Sequence, residues 1–279
     1  SAQLDLAGNF TRVNGPLNLA SLQGAATTVN VQSNAASLRQ ALQFTNLSVG
    51  QSTVNAAFGT GVAAMAFDKK TNRLYYTPML FDQLRYIDLK TMKVYFVMDK
   101  GFTGKPVKNA DQGNIVTRMV IAADGFGYAL TNDATQLIRF STGKKLITED
   151  LGAIVDDPAN KGVSIHNSCS SFGGDMIADD DGNLYVFSAR NHVFKVNIEN
   201  RVATYLGVVS GLPNGFTVNG AVVNENNQVI VGSALESPSL FVINTKTWVA
   251  SPMKINGTVS HTSDLANGMS TILIGQYLF

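Results

Sequence analysis

The sequence predicts an all-β protein: a six-bladed β-propeller of four-stranded antiparallel blades, in which the N- and C-terminal strands share one blade. Three observations lead to this fold. A phrase of four short strands recurs along the 279 residues. Its copies are spaced roughly as propeller blades are. The first strand of each copy is apolar on both faces, so a single copy must stack against neighbours to bury its core.

The clearest copy of the phrase lies between residues 61 and 98. It predicts strands at residues 62–67, 73–77, 83–89 and 93–98. Apolar or alternating residues make up each strand, and polar turn residues separate them. This segment therefore predicts one complete blade.

The acidic residue that ends the first strand marks the other copies. The matching positions Asp68, Asp124, Asp180 and Glu225 are 56, 56 and 45 residues apart. Pairs such as Asp124-Gly125 supply the positive φ that tight hairpins need. The spacing predicts three further blades with loops of different length.

The two ends of the chain supply the rest of the predicted ring. Residues 262–266 and 270–275 are expected to form two strands, and residues 3–8 and 10–13 the other two strands of the same blade. Pairing the termini leaves no half-blade edge exposed. Residues 17–55 form the weakest repeat, and counting them as a blade gives six. A five-bladed ring with an N-terminal extension is the alternative.

Composition limits the possible partners. Charged residues make up 15% of the chain and the net charge is +1, so no nucleic-acid partner is expected. No apolar run reaches the roughly 18 residues of a membrane span. Cys169 is the only cysteine, which excludes an intrachain disulfide. The weakly charged, Asn-, Thr- and Ser-rich composition resembles that of exported bacterial propellers, so we expect an extracytoplasmic location, in the periplasm or at the cell surface.

Three long segments join a fourth strand to the next first strand, at residues 98–114, 150–172 and 210–217. Such connections lie at the axial end of a propeller, where loops commonly bind ligands. Polar residues at or near the starts of the inner strands are expected to converge on the axis, and a histidine lies in the second long segment. The ligand-binding candidates are Arg118, Asp175, Asn219, His261, Asp264 and His166. A solvated channel wall is the alternative interpretation of this set.

The sequence assigns no metal, no cofactor and no catalytic residue. Its three histidines lack the HxH or HExxH spacing of zinc sites. The acidic run at residues 179–181 is contiguous, whereas a calcium loop alternates its ligands, so this run predicts a hairpin turn.

The blade phrase at residues 68–91 and 180–197 joins an acidic turn, a Leu-Tyr pair and a strand that ends in Asp or Asn. It resembles bacterial propellers of the NHL-repeat, surface-layer (YVTN-like) and gluconolactonase-like families, over nearly the whole chain. The gluconolactonase resemblance implies one divalent metal in the channel, for which Asp175, Asn219 and Asp264 match a carboxylate, Asn and Asp set. The Glu of that family has no clear counterpart here.

The leading hypothesis is a binding or interaction module that presents an axial pocket or loop face to a small molecule, glycan or protein. The alternatives are a metal-dependent hydrolase or lactonase with channel carboxylates, and a structural envelope component. A metal held by three protein oxygens favours the enzyme, and a dry or plugged channel favours the structural component. Aromatic residues clustered at the mouth (Phe102, Phe172 and Phe216) favour glycan or protein binding.

Overall fold

The computed structural model of the chain describes residues 2–4, 10–12, 61–79, 82–91, 93–97, 101–105, 112–143, 146–235, 240–256, 262 and 264–266. The strands in these residues form one two-stranded sheet and four larger sheets. The small sheet pairs β1 (Ala2–Leu4) with β2 (Phe10–Arg12). Within the described residues, no helix has the length and hydropathy that crossing a membrane requires.

Each larger sheet is one blade. Blade 1 contains β3 (Val62–Asp68), β4 (Arg73–Pro78), β5 (Arg85–Asp88) and β6 (Lys93–Phe96). Blade 2 contains β7 (Val116–Ile121), β8 (Gly127–Thr131), β9 (Leu137–Phe140) and β10 (Thr148–Gly152). Blade 3 contains β11 (Val155–Asp156), β12 (Asp175–Ala178), β13 (Asn183–Phe187), β14 (His192–Asn197) and β15 (Val202–Val208). Blade 4 contains β16 (Gly220–Val223), β17 (Val229–Gly232), β18 (Leu240–Asn244) and β19 (Val249–Pro252).

The blades are antiparallel meanders whose first strands lie side by side. Strand β3 contacts β7, β7 contacts β12, and β12 contacts β16. In blade 3 the short strand β11 is added at the outer edge, where it pairs parallel with β15. Successive meanders stacked through their first strands define one architecture. The fold is a β-propeller.

Local chemistry explains the hairpins, as the turn after β12 shows. The Oδ1 atom of Asp179 accepts hydrogen bonds from the backbone N–H groups of Asp181 and Asn183 at 2.9 and 2.8 Å. Gly182 has φ +79°, which a side chain rarely tolerates. The acidic run therefore forms the predicted hairpin turn.

Apolar clusters fill the spaces between neighbouring blades. Met176 of β12 packs in a cluster with Val120 of blade 2, and its neighbour Ile177 packs in another cluster with Ala221 of blade 4. Burying a side chain of this size stabilises the fold by about 1.5–3 kcal/mol. Each of these two clusters draws on two blades, so blade 3 buries its two faces against its neighbours.

The predicted strands of the first copy agree with blade 1, because β3 and β4 differ from the prediction by one residue at their ends and β5 and β6 by no more than two. The four-strand phrase therefore identifies the blades correctly where it is complete. It does so because apolar alternation and turn residues coincide in the same segment.

The predicted number of blades is wrong: the described residues form four blades, neither six nor five. The blade expected to join the termini is not formed in them. Strands β1 and β2 pair with each other in a separate sheet, and residues 262 and 264–266 belong to no strand. Residues 17–55 and 270–275 lie outside the described residues. The prediction of a blade at residues 17–55 rests on short apolar runs without an Asp-Gly or Asn-Gly turn, a pattern that does not distinguish a strand from a buried helix segment.

Candidate functional site

One end of the propeller carries a surface built from loops, which we call the loop face. It combines the segments between successive blades with the turns between second and third strands. In the described chain it comprises residues 82–84, 101–105, 132–136, 164–174, 188–191, 210–219 and 233–235. Hydrogen bonds connect these segments to one another.

Asp82 holds the segment that follows blade 1. Its two carboxylate oxygens accept hydrogen bonds from the backbone N–H groups of Thr103 and Gly104 at 2.7 and 2.8 Å. Burial raises the pKa of Asp82, and these N–H groups oppose the rise because they stabilise the carboxylate. Gln136 of blade 2 donates from Nε2 to the Thr103 carbonyl oxygen at 2.9 Å. The segment is therefore attached to both blades.

His166 braces the long segment that leads into blade 3. Its Nδ1 atom lies 2.7 Å from the carbonyl oxygen of Asp133, and its Nε2 atom lies 3.0 Å from that of Ile154. Both ring nitrogens are thus occupied by the backbone. The ligand-binding role of His166 stays a prediction, and the contacts that the structure gives it are structural.

Arg118 of β7 is fully buried and clamps the same segment to blade 2. Its Nε atom donates to the carbonyl oxygen of Gly173 at 3.0 Å, and one terminal nitrogen donates to that of Ser171. The other terminal nitrogen lies 3.3 and 3.5 Å from the carbonyl oxygens of Thr131 and Asn132. Burial lowers the pKa of Arg118 to about 10, and the charge of nearby Asp175 opposes the fall. The guanidinium group therefore faces protein on every side.

Asn219 and His261 do not join these groups in the described structure. The Oδ1 atom of Asn219 accepts a hydrogen bond from the backbone N–H of Ala234 at 2.9 Å and another from the hydroxyl of Thr217 at 3.0 Å. The side chain of Asn219 thus fixes the loop before β16. His261 lies outside the described residues.

The structure brings Asp175 together with Asp264, and the charge of Asp175 also acts on Arg118. Asp175, the first residue of β12, is 1% exposed, and Asp264 is 6% exposed. The Oδ1 and Oδ2 atoms of Asp175 accept hydrogen bonds from the backbone N–H groups of Met176 and Ala221, each at 2.8 Å. Asp264 accepts one from the backbone N–H of Leu265 at 2.7 Å through Oδ1, while its buried Oδ2 meets no hydrogen-bond donor.

The proximity of the two carboxyl groups changes their proton affinity. Burial raises the pKa of Asp175 to about 7, against the effect of the backbone N–H groups and of a hydrogen bond from Asp264. Burial and the charge of Asp175 raise the pKa of Asp264 well above its ordinary value. Two carboxyl groups in one dry site cannot both ionise at low cost. The arrangement is therefore an acid pair that retains a proton near neutral pH.

The acid pair does not fit the metal set that the gluconolactonase resemblance implies. The Asn219 amide oxygen already accepts two hydrogen bonds, and N–H groups, which repel a cation, point at both carboxyl groups. Among the described residues no group of three or more His, Cys, Asp or Glu side chains is arranged to hold a metal ion. Metal binding by three protein oxygens, which a hydrolase of that kind needs, finds no support here.

The aromatic residues expected at the mouth do not form a platform there. Phe102 is buried against Phe140, and Phe216 is buried against Phe241. Phe172 is half-buried. Asp82 is not among the residues predicted from the sequence, since its only signal is an acidic residue shortly after a strand. Its role depends on where the distant Thr103 returns, which no local pattern reveals.

A shallow groove lies at the opposite end of blade 4, with a volume of about 410 Å³. Turn residues line it, among them Asn227, Gln228, Asn244 and Thr245. This groove offers polar groups without a titratable carboxylate.

No protein-family model matches the sequence, and no curated protein matches it. Solved propeller structures are similar to it at low sequence identity. The allergen Mala s 1 of Malassezia sympodialis is 14% identical, with 72% of this chain and 67% of the allergen covered and a TM-score of 0.48. Virginiamycin B lyase of Staphylococcus aureus is 15% identical, with 67% and 53% covered and a TM-score of 0.41. A protein described as a 6-phosphogluconolactonase from Bacteroides uniformis is 14% identical, with 77% and 60% covered and a TM-score of 0.41.

The chain spans about half the length of the lyase that it matches. At these identities the likeness concerns the fold and carries nothing about chemistry.

Proposed function

We propose that this propeller is an extracytoplasmic binding module that presents its loop face to a small polar molecule, a glycan or a protein. The observation that carries the proposal is the hydrogen-bonded continuity of that face. Asp82, Gln136 and His166 each tie a loop segment to the backbone of another segment. A surface that is already ordered loses little conformational entropy when it binds a partner.

The loop face supports binding better than the ring axis does. Arg118, Asp175 and Asp264 are at most 6% exposed, so a ligand has little access to them. By contrast Asn167, Ser168 and Cys169 are exposed on the loop face. The backbone N–H of Cys169 donates to the side chain of Asn167 at 2.8 Å, which fixes this exposed turn.

The exposed groups indicate the chemistry of the ligand. Asn167, Ser168 and Asn214 offer neutral hydrogen-bonding groups, Arg190 adds one positive charge, and Leu235 is 66% exposed. Since Phe102 and Phe216 are buried, these two residues provide no stacking surface for a sugar ring. A ligand rich in hydroxyl or amide groups and of low charge suits such a surface.

The test is a binding screen with two matched variants. Purified protein is screened against arrays of oligosaccharides and of peptides, and each hit is measured by calorimetry with S168W and N226W. Ser168 lies on the loop face and Asn226 lies in an exposed turn at the opposite end, beside the shallow groove. We expect S168W to weaken binding at least about tenfold, or about 1.4 kcal/mol, with N226W unchanged. The reverse result would place binding at the groove, and no hit in either array contradicts the proposal.

The extracytoplasmic part of the proposal rests on composition, a weakly charged chain with one cysteine. Fractionation of the source cells with an antibody against the chain tests it. Recovery in the cytosolic fraction alone would overturn this part and leave the binding test unaffected.

A further inference from the structure

We propose that Asp175 and Asp264 share one proton, and that this proton latches residues 264–266 onto the inner strands of the propeller. Loss of the proton then releases the segment. The proposal concerns the ring axis and is independent of the binding role of the loop face.

The hydrogen-bond pattern determines where the proton resides. Both oxygens of Asp175 already accept backbone N–H groups, which favours the carboxylate form of this residue. The Oδ2 atom of Asp264 is buried and receives no donor. Two carboxylates have only acceptors between them, so they form a hydrogen bond only when one carries a proton. We place the proton on Asp264, from which it is donated to Asp175.

The groups around Asp175 and Asp264 favour a proton, rather than a metal ion, between the two carboxyl groups. The backbone N–H of Met119 points to Asp175, and that of Met65 points to Asp264. Arg118 of β7 acts on Asp175 as a positive charge, and Asp133 acts on Arg118 in turn. Strand β16 and the part of β3 near Met65 contribute only backbone groups to the pair. Oriented N–H groups and a guanidinium repel a bound cation but leave room for a proton.

Close packing makes the pair a latch rather than a flexible contact. A Cβ atom added at Gly220 of β16 would lie 2.5 Å from the backbone nitrogen of Leu265 and 2.8 Å from the carbonyl carbon of Asp264. The segment thus lies directly on the β16 backbone. If both carboxyl groups ionise, the repulsion cannot be relieved by a small side-chain shift, so the segment itself has to move.

The direction of the pH effect follows from linkage. The unfolded chain releases these protons above about pH 4, whereas the folded chain keeps one between the two carboxyl groups. The stabilising effect of the shared proton is therefore complete below about pH 4 and is lost as the pH rises through the raised pKa of Asp264, the residue that carries the proton.

The variants D264N and D175N test the latch, because the two substitutions are expected to change stability in different ways. In D264N the amide oxygen can still accept the hydrogen bond from the backbone N–H of Leu265, and the amide N–H donates to Asp175 at every pH. The melting temperature of D264N should therefore not fall with rising pH as that of the wild type does. Between about pH 6 and pH 9 we expect the wild type to lose roughly 5–10 °C more than D264N. D175N places an N–H group against a backbone N–H, so it should be destabilised at every pH. The control is D179N, because Asp179 accepts only from N–H and O–H donors and should leave the pH slope as in the wild type.

Parallel melting curves for wild type and D264N would overturn the proposal, and so would a D175N variant as stable as D264N. A second measurement needs no variant. Hydrogen exchange of the wild type, corrected for intrinsic rates, should show residues 264–266 opening between about pH 6 and pH 9 while the central strand β13 stays protected. Equal protection of the segment at both pH values contradicts the latch, even if D264N fails to fold.

Discussion

Arg118 and Arg85 are both fully buried, but they stabilise different boundaries of the propeller. Arg118 donates to backbone carbonyl oxygens, among them those of Gly173 and Ser171, which belong to a segment of another blade. Arg85 contacts groups of its own blade 1, where its Nε donates to Gln83 at 2.7 Å and its guanidinium lies 3.9 Å from the ring centre of Phe96.

Burial lowers the pKa of each of these two arginines to about 10, so desolvation is similar for both. The difference lies in what each charge holds in place. A charge bonded to carbonyl oxygens of a remote segment fixes the path of that segment, whereas a charge stacked on a ring in its own sheet strengthens that sheet. Assembly of the ring should therefore depend on Arg118 more than on Arg85.

The largest expected effect comes from the backbone that Arg118 holds. Gly174 follows Gly173 with φ +85°, and an added Cβ would lie 1.7 Å from the carbonyl oxygen of Phe187. We expect G174A to cost about 4 kcal/mol or more of unfolding free energy, measured by urea denaturation. G182A is the control, since Gly182 has φ +79° with no atom within 4 Å and should cost only about 1 kcal/mol. Equal costs would show that the φ value alone determines the effect.

The second largest loss of stability is expected from removing the guanidinium group of Arg118. R118M should cost about 3–4 kcal/mol, because it leaves buried carbonyl oxygens without their donor and the Asp175 carboxylate without a nearby positive charge. Hydrogen exchange should show residues 171–173 losing protection first. A loss below about 1 kcal/mol would mean that apolar packing alone holds the segment.

A smaller loss of unfolding free energy is expected when Arg85 is replaced. R85M should cost about 2 kcal/mol, since methionine keeps contact with the Phe96 ring while the hydrogen bond to Gln83 is lost. Protection of residues 171–173 should be unchanged in this variant. If R85M exposes that segment as R118M does, the distinction between the two arginines fails.

The smallest effect belongs to an exposed arginine. Arg139 forms an ion pair with Glu149 at 2.5 Å, but their side chains are 37% and 53% exposed. R139A should change the unfolding free energy by about 0.5 kcal/mol, and about 1 M salt should reduce the difference further. A large loss would show that charge in general, rather than buried charge, stabilises the blades.

The sequence predicts the blades well where strand pattern and turn residues coincide, as between Val62 and Phe96. It fails on the number of blades, which is four in the described residues, because short apolar runs alone do not distinguish a strand from a buried helix segment. Alignment of the inner strands predicts polar side chains near the axis, but it does not reveal which of them pair, as Asp175 and Asp264 do. It did not reveal that Arg118 is covered, because the path of residues 171–173 is set by tertiary contacts that have no local signature.

The exposed turn at Cys169 has a practical consequence. The chain has a single thiol, and it lies on the loop face rather than in the core. A maleimide dye will therefore attach at one defined position without engineering. Its fluorescence will report on what approaches that end of the molecule, while the opposite end stays unlabelled.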